Sequence, residues 1–316
     1  MSGPLYAGVD AGGTRTRLVL IDDQGELRAR GEGGPGNLRR VGAAGLAQAL
    51  TEARDAAGPD LRPAAAFLGV AGASSAEDRA QVAEVAERIE LAPAGRIGVD
   101  HDLRIAHAAA FDDEPGIVVV AGTGSAAYGR DAHGTAERAG GWGPTLDDPG
   151  SAYDLARRAL TACVRAADGR GPATELLTAL VRELDARDLR DAVRRIEDGR
   201  VSRAQIAALA PHVLAAAERG DGVAQAAVAA GVEELACCAV AVAQRLGPEE
   251  RGPVPRGDFT RAPRVALAGG LAVSDAWRDA FEAALADRLP GAAVRVATTE
   301  PALGAARLAR RRAAGR

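Results

Sequence analysis

The sequence predicts an α/β protein made of two similar domains. Its 316 residues are enough for two domains of ordinary size, each with its own hydrophobic core. A strand, a glycine–threonine turn and a second strand occur in this order twice, first over residues 6–21 and again over residues 117–128. A supersecondary unit that recurs within one chain indicates a duplicated fold.

The first half begins as a meander of strands and continues with alternating helices and strands. A capping box formed by Ser75 and Asp78 indicates where one of these helices begins. The predicted elements are strands over 6–10 and 18–21, a third strand after the turn at 22–25, a helix over 42–57, a strand over 66–70, a helix from Ser75, a strand over 96–99 and a helix through 105–110.

The second half contains more helix. Strands are predicted over 117–121 and through Tyr128, helices over most of 150–246, a surface loop over 248–263, a buried strand over 265–268, a helix from Ser274, a strand near Val294 and a closing helix from Pro301. From this order we expect one domain over residues 1–113 with 301–316, and a second over 114–300.

Composition and charge exclude several classes of partner. The 39 basic and 43 acidic residues are mixed along the chain, so no continuous basic surface for nucleic acid is expected. No stretch approaches the length of uncharged apolar chain that crosses a membrane. The three cysteines lack the spacing of a disulfide framework or a zinc site, and the N-terminus has no secretory signal pattern. We therefore expect a cytoplasmic protein.

The turn between the first two strands has the residues of a phosphate cradle. Gly12 and Gly13 allow backbone N–H groups to turn toward an anion, and Thr14 and Thr16 add hydroxyl donors. Asp10, at the end of the strand, can hold Mg²⁺ through water. Taken alone, the same residues also suit a tight hairpin turn.

A second turn of the same kind follows another apolar strand. It consists of Gly122, Thr123, Gly124 and Ser125. Two such turns facing each other could grip a triphosphate from both sides, and the pair is far more specific than either turn. A further glycine pair, Gly269 and Gly270, follows a buried strand, where the absence of Cβ atoms leaves room for an adenosine; a simple helix entry is the alternative.

These motifs resemble those of the N-acetylglucosamine kinases within the BadF/BadG/BcrA/BcrD group of actin-like ATPases, and the likeness covers nearly the whole chain. It rests on the first phosphate motif at 10–16, the second at 122–125, the adenosine motif at 268–270 and the closing helix at 301–306. The resemblance implies two ribonuclease-H-like (actin-like ATPase) domains with a nucleotide and sugar cleft between them. It also implies ATP and Mg²⁺ as cofactors and γ-phosphoryl transfer to the 6-hydroxyl of an amino sugar, with N-acetylglucosamine favoured.

The resemblance also assigns residues to the sugar. It places a hexosamine contact at Asn37 and a sugar-side loop at Gly140, Gly141, Trp142 and Asp148. Trp142 either packs under the sugar or fills the core. Two departures leave the choice among N-acetylglucosamine, glucosamine, N-acetylmuramic acid and glucose open. Pro149 stands where the family usually has glutamate, and Arg39 stands where it often has tryptophan.

Phosphoryl transfer to an alcohol needs a carboxylate near the attacking hydroxyl. Residues 100–102 supply two. Asp102 matches the position of the family's catalytic base better than Asp100, which would be the base if the local alignment slipped by two residues. The structural alternative is that Asp102 only caps the helix that follows.

Two other classes of function are alternatives to the kinase. An ATPase activator of the same group needs cysteines for an iron–sulfur cluster near the domain junction, and residues 140–143 contain none. A non-catalytic sugar sensor would not need the intact phosphate turns and Asp102. Dimers are common in the family that the chain resembles, so a homodimer is a further alternative.

Overall fold

The structure is a computed structural model that describes residues 3–247 and 263–315. The surface loop predicted over 248–263 lies, apart from Pro263, outside the described residues. By its contacts the chain divides into two compact units. Unit 1 comprises Met1–Glu114 with Ala297–Arg316, and unit 2 comprises Pro115–Val296.

Unit 1 is built on a five-stranded sheet of order β3-β2-β1-β4-β5. Its strands are β1 (Tyr6–Ala11), β2 (Thr16–Ile21), β3 (Leu27–Gly33), β4 (Ala65–Val70) and β5 (Ile97–Asp100), and its first helices are α1 (Leu38–Ala57), α2 (Ala76–Arg88) and α3 (Asp102–Phe111). β1 pairs antiparallel to β2 and parallel to β4, which is parallel to β5. The carboxyl ends of β1, β4 and β5 therefore lie at one edge, where open α/β sheets bind ligands.

Unit 2 repeats this sheet and adds helices. Its strands are β6 (Gly116–Ala121), β7 (Ser125–Arg130), β8 (Ala136–Gly140), β9 (Arg264–Ala268) and β10 (Ala293–Val296). Its helices are α4 (Ala152–Ala167), α5 (Leu176–Glu183), α6 (Leu189–Glu197), α7 (Arg203–Ala207), α8 (Ala210–Glu218), α9 (Gly222–Leu246), a 3₁₀ helix (Gly270–Val273) and α10 (Asp275–Ala286). The sheet order, β10-β9-β6-β7-β8, is that of unit 1 when each sheet is numbered from its own first strand. The predicted duplication is confirmed.

The closing helix α11 (Pro301–Ala313) packs on the sheet of unit 1 through small residues. A Cβ atom at Gly8 in β1 would lie 2.1 Å from the carbonyl oxygen of Ala302, and one at Gly304 would lie 2.4 Å from the amide nitrogen of Ala109. Both glycines are required because the backbones of strand and helices approach so closely.

Helix α9 is the central helix of unit 2. Leu235, Ala236 and Ala239 are fully buried in its core. Within the described ranges it is the one helix long and apolar enough to cross a membrane, and half of its apolar window is buried inside the fold. A core helix has the same length and composition.

Candidate functional site

The first glycine turn of unit 1 is tight and presents its tip to solvent. The N–H of Gly12 donates to the carbonyl of Arg15 at 3.0 Å, which closes the turn between β1 and β2. Gly13 and Thr14 are exposed at its tip. Thr16 is fully buried in β2, and its hydroxyl has no hydrogen-bond partner among the described residues. Thr14 is therefore exposed to solvent, whereas Thr16 is enclosed in the fold.

Asn37 lies beside this turn because of the glycine that precedes it. The N–H of Gly36 donates to the carbonyl of Gly12 at 2.9 Å, and a Cβ at Gly36 would lie 2.4 Å from Oγ1 of Thr16. Asn37 is the N-cap residue of α1 but makes no side-chain capping bond. Its Oδ1 is buried without a partner in the described part of the chain. Such an oxygen can accept a hydrogen bond from a bound hydroxyl or amide.

The predicted carboxylates lie at the same sheet edge. Asp10 is opposite Gly69 of β4, and Gly69 is opposite Asp100 of β5. Asp102 is the first residue of α3, but the N-cap residue is His101, whose Nδ1 accepts from the N–H of Arg104 at 3.2 Å. The capping role left open for Asp102 thus belongs to His101. Unit 1 brings together Asp10, Asn37, Asp100, Asp102 and the first turn.

The Asp10 carboxyl is electrostatically unusual. Burial, followed by the negative charges of Asp102 and Glu300, raises its pKa to about 6, although Arg17 opposes the change. A cation would relieve this repulsion, and Mg²⁺ prefers one or two carboxylates together with water and phosphate oxygens. The residues present therefore fit a hydrated Mg²⁺.

We expect Asp10→Asn to stabilise the metal-free protein at alkaline pH. The folded pKa of about 6 lies above the usual 3.8, so the ionised carboxylate destabilises the fold above pH 6. This penalty disappears as the pH falls from about 6 toward about 4, since both states then become protonated. Thermal unfolding should give a higher Tm for Asp10→Asn than for wild type near pH 8, and equal values near pH 4. Asp60→Asn, at an exposed site, is the control; a Tm gap independent of pH would contradict the prediction.

The second glycine turn, in unit 2, is fastened to the segment that follows β8. The N–H of Gly122 donates to the carbonyl of Gly124 at 2.9 Å, and the N–H of Ala152 donates to the carbonyl of Gly122 at 2.8 Å. The buried hydroxyl of Ser125 donates to the carbonyl of Pro149 at 2.6 Å. The Ser125 hydroxyl is thus engaged within the fold, whereas Thr123 is exposed.

The predicted adenosine glycines lie at the same edge as the second turn, because β6 and β9 are parallel neighbours. Gly269 has φ +98°, and a Cβ there would lie 2.4 Å from the carbonyl oxygen of Ala121. Gly270 has no atom within 4 Å of its ideal Cβ position. Glycine is therefore required at position 269 by the close approach of Ala121, whereas Gly270 borders open space.

The sugar-side loop is exposed at one end and buried at the other. Trp142 is 78% exposed, with the guanidinium of Arg138 5.2 Å from its ring centroid, so the core-filling alternative is wrong. Gly140 and Gly141 have φ of +78° and +75°, which favour glycine. Asp148 is only 4% exposed and forms an ion pair with Arg203. Sequence reasoning missed Arg203, since it lies in a helical region without a motif.

Each unit thus has the same sheet order with a glycine turn between its first two strands, the arrangement of the actin-like ATPase class, and the predicted fold class is confirmed. The chain belongs to the BadF/BadG/BcrA/BcrD ATPase family, whose profile matches residues 7–309. ATP is accordingly its nucleotide.

Relatives of known name agree with this assignment. An N-acetylmuramic acid/N-acetylglucosamine kinase of Clostridium acetobutylicum is 29% identical over 77% of this chain and 81% of its own. The N-acetyl-D-glucosamine kinase of Dictyostelium discoideum is 25% identical over 98% of both chains. The crystal structure of a candidate N-acetylglucosamine kinase from Chromobacterium violaceum has a TM-score of 0.74 and 31% identity, covering 98% of this chain and all of the other.

Proposed function

We propose that this protein is an ATP-dependent kinase that transfers the γ-phosphoryl group to the 6-hydroxyl of an amino sugar, with N-acetylglucosamine as the first candidate. One observation carries the proposal. The amide oxygen of Asn37, which has no partner within residues 3–247 and 263–315, and the carboxylate of Asp102 lie at the sheet edge that also carries the first glycine turn. The names of the relatives support the same substrate class.

In this proposal Asp102 accepts the proton of the sugar 6-hydroxyl while the hydroxyl oxygen of the sugar bonds to the γ-phosphorus. The bond between the γ-phosphorus and the β–γ bridging oxygen breaks at the same time. ADP and the sugar 6-phosphate are the products. The transition state is loose, so catalysis depends on positioning and on charge neutralisation. The amides of Gly13 and Gly124 and the exposed hydroxyls of Thr14 and Thr123 hold phosphates. Gly12 and Gly122 shape the two turns through their internal hydrogen bonds, and Gly269 and Gly270 border the adenosine.

Asp10 would hold Mg²⁺ through water. Among the described residues, no group of three His, Cys, Asp or Glu side chains is arranged to hold a metal. This agrees with an ion whose remaining ligands are water and phosphate oxygens. Such an ion neutralises charge on the phosphates during transfer.

N-Acetylmuramic acid is a second candidate substrate. Arg39 stands two residues after Asn37, and its Nη2 forms an ion pair with Asp78 at 3.0 Å while its Nε donates to the carbonyl of Gly72. The guanidinium is thereby fixed yet remains exposed. A cation at this place suits the lactyl carboxylate of that sugar. Glucosamine and glucose remain alternatives.

A coupled assay of ADP release tests the proposal. Mg-ATP is supplied with N-acetylglucosamine, N-acetylmuramic acid, glucosamine or glucose, beside a blank without sugar. An amino sugar that raises the rate far above the blank supports the kinase, and mass spectrometry should then find the sugar 6-phosphate. Equal ADP release with and without sugar would point to the ATPase activator, and no release at all to the sugar sensor.

We expect Asn37→Ala to raise the KM for the sugar by about 10–100-fold, because one hydrogen bond to a buried amide is lost. The KM for ATP should change little. Steady-state kinetics against each substrate measures this. Gln48→Ala, on the exposed part of the same helix, is the control. A rise in the KM for ATP alone would assign Asn37 to the nucleotide instead.

The proposal includes a cytoplasmic location, no nucleic-acid or membrane partner, and a homodimer as an open alternative. The positions of the cysteines do not support the ATPase-activator function. Cys163 is buried in α4, and Cys237 and Cys238 are adjacent in α9. Adjacent residues of a helix point in different directions, which is unsuited to ligating one cluster.

A further inference from the structure

Arg203, the first residue of α7, lies between the sugar-side loop and the second glycine turn. Its Nη2 is 2.5 Å from Oδ2 of Asp148 and 3.5 Å from the carbonyl oxygen of Thr123. Its guanidinium also lies 5.6 Å from the ring centroid of Tyr153. One side chain of the helical part of unit 2 thus contacts both segments to which substrate roles are assigned.

Gly124 explains how these groups come so close. A Cβ at Gly124 would lie 2.8 Å from Oδ2 of Asp148 and 3.0 Å from Nη2 of Arg203. The glycine of the second turn therefore leaves the space that the ion pair fills. The position of the Asp148 carboxylate and that of the turn depend on each other.

The Asp148 carboxylate needs a cation. Asp148 is almost fully buried and has a left-handed backbone, with φ +64°. Burial raises its pKa, the charge of Asp147 raises it further, and Arg203 and a hydrogen bond from the backbone of Gly143 oppose the change. A buried carboxylate that loses its partner is destabilised and tends to take up a proton. A protonated Asp148 is a weaker acceptor for a sugar hydroxyl than the ionised carboxylate.

We propose that Arg203 is a positioning residue for sugar phosphorylation: it keeps Asp148 ionised and fixes its carboxylate beside the second phosphate turn. This inference rests on the proposed function and on the sugar contact that the family resemblance assigns to Asp148. Arg203 acts mainly through Asp148, whose Oδ2 is 2.5 Å from its Nη2, and less through the phosphate turn, where the Thr123 carbonyl oxygen is 3.5 Å away. Its loss should therefore impair the use of sugar much more than the use of ATP.

Arg203→Met tests this in the full-length protein. We expect the KM for N-acetylglucosamine at neutral pH to rise by about 10–100-fold, with the KM for ATP changed less than about threefold. The acid limb of kcat/KM should move to higher pH, so that the defect shrinks at alkaline pH. Arg203→Lys should return the acid limb of kcat/KM to its wild-type pH, because lysine keeps the positive charge. Arg200→Met, at an exposed arginine paired with Asp198, is the control.

A double-mutant cycle separates positioning from a merely structural role. In the Asp148→Asn background, Arg203→Met should add little to the loss of sugar affinity, measured by titration calorimetry in the presence of a non-hydrolysable ATP analogue. The inference would be overturned if the losses of sugar affinity from the two substitutions multiplied in the double variant. It would also be overturned if the acid limb of kcat/KM did not move in Arg203→Met. Neither result would contradict the proposed kinase activity. Arg203→Gln replaces the Met variant if that variant does not fold.

The proposed function and the charge coupling between Arg203 and Asp148 can be tested separately. A wild type without sugar-dependent turnover would overturn both the function and the role given to Arg203 in it. The charge coupling itself is then read from the carboxyl ¹³C shift of Asp148. Arg203→Met should raise the titration midpoint of that signal, and an unchanged midpoint would refute the coupling as well.

Discussion

Asp102→Asn should lower kcat for sugar phosphorylation by about 10²–10⁴-fold, the effect usual for removal of a general base. The KM values for sugar and ATP should change little. In the described residues, the hydrogen bond to the Asp102 carboxylate comes from the N–H of Leu103 at 3.0 Å, and an asparagine oxygen accepts it equally well. The fold is therefore expected to survive, with an unchanged Tm as the check.

The Asp102→Asn variant also affects the neighbouring carboxylate of Asp10. The charge of Asp102 raises the pKa of Asp10, so its removal makes Asp10 easier to ionise, but it also removes a negative charge that attracts Mg²⁺ to the same place. A kcat that stays low at saturating Mg²⁺ therefore reports the loss of the proton acceptor, whereas a kcat that recovers as Mg²⁺ is added reports weaker metal binding.

Asp100→Asn is the matched control for the choice of base. Oδ1 of Asp100 accepts from the N–H of His101 at 2.8 Å, which an asparagine oxygen can also do. We expect less than about a tenfold loss of kcat from this variant. The opposite ranking of the two variants would make Asp100 the base.

The duplicated fold could be predicted from the sequence because its signals are local. A glycine-bearing turn between two apolar strands occurs in each half, and Ser75 with Asp78 forms the predicted capping box. Strand β8 was missed, since Ala136–Gly140 contains no β-branched or aromatic residue and its pairing with β7 is a tertiary effect. Helix α1 begins at Leu38, before the predicted residue 42, because its first turn precedes a break in helical geometry at Gly42.

Some site residues could be predicted from local sequence, whereas others depend on long-range packing. Residue types and their neighbours indicated Asp10, Asn37 and the two glycine turns. Long-range packing decided the rest, such as the burial of Thr16 and the ion pair between Arg203 and Asp148, which are 55 residues apart. A pair so distant in sequence, with no motif around one partner, gives a single sequence nothing to detect.

Gly269→Ala should destabilise unit 2 by about 3 kcal/mol or more and abolish tight ATP binding. At φ +98° and ψ 172° the backbone is in a region that essentially only glycine occupies, which costs of order 1–3 kcal/mol for alanine. The new methyl group would also lie 2.4 Å from the carbonyl oxygen of Ala121, a backbone atom that cannot rotate away. Overpacking of this kind costs about 1–3 kcal/mol more.

Ala121 ends β6 immediately before the second glycine turn, so the displacement would move the turn away from the adenosine glycines. Thermal unfolding and titration with a fluorescent ATP analogue measure the two effects. Gly270→Ala is the matched control, because no atom lies within 4 Å of its Cβ position and its φ is not positive; it should leave the Tm unchanged. Equal Tm values for the two alanine variants would show that the approach of Gly269 to Ala121 does not hold these segments together.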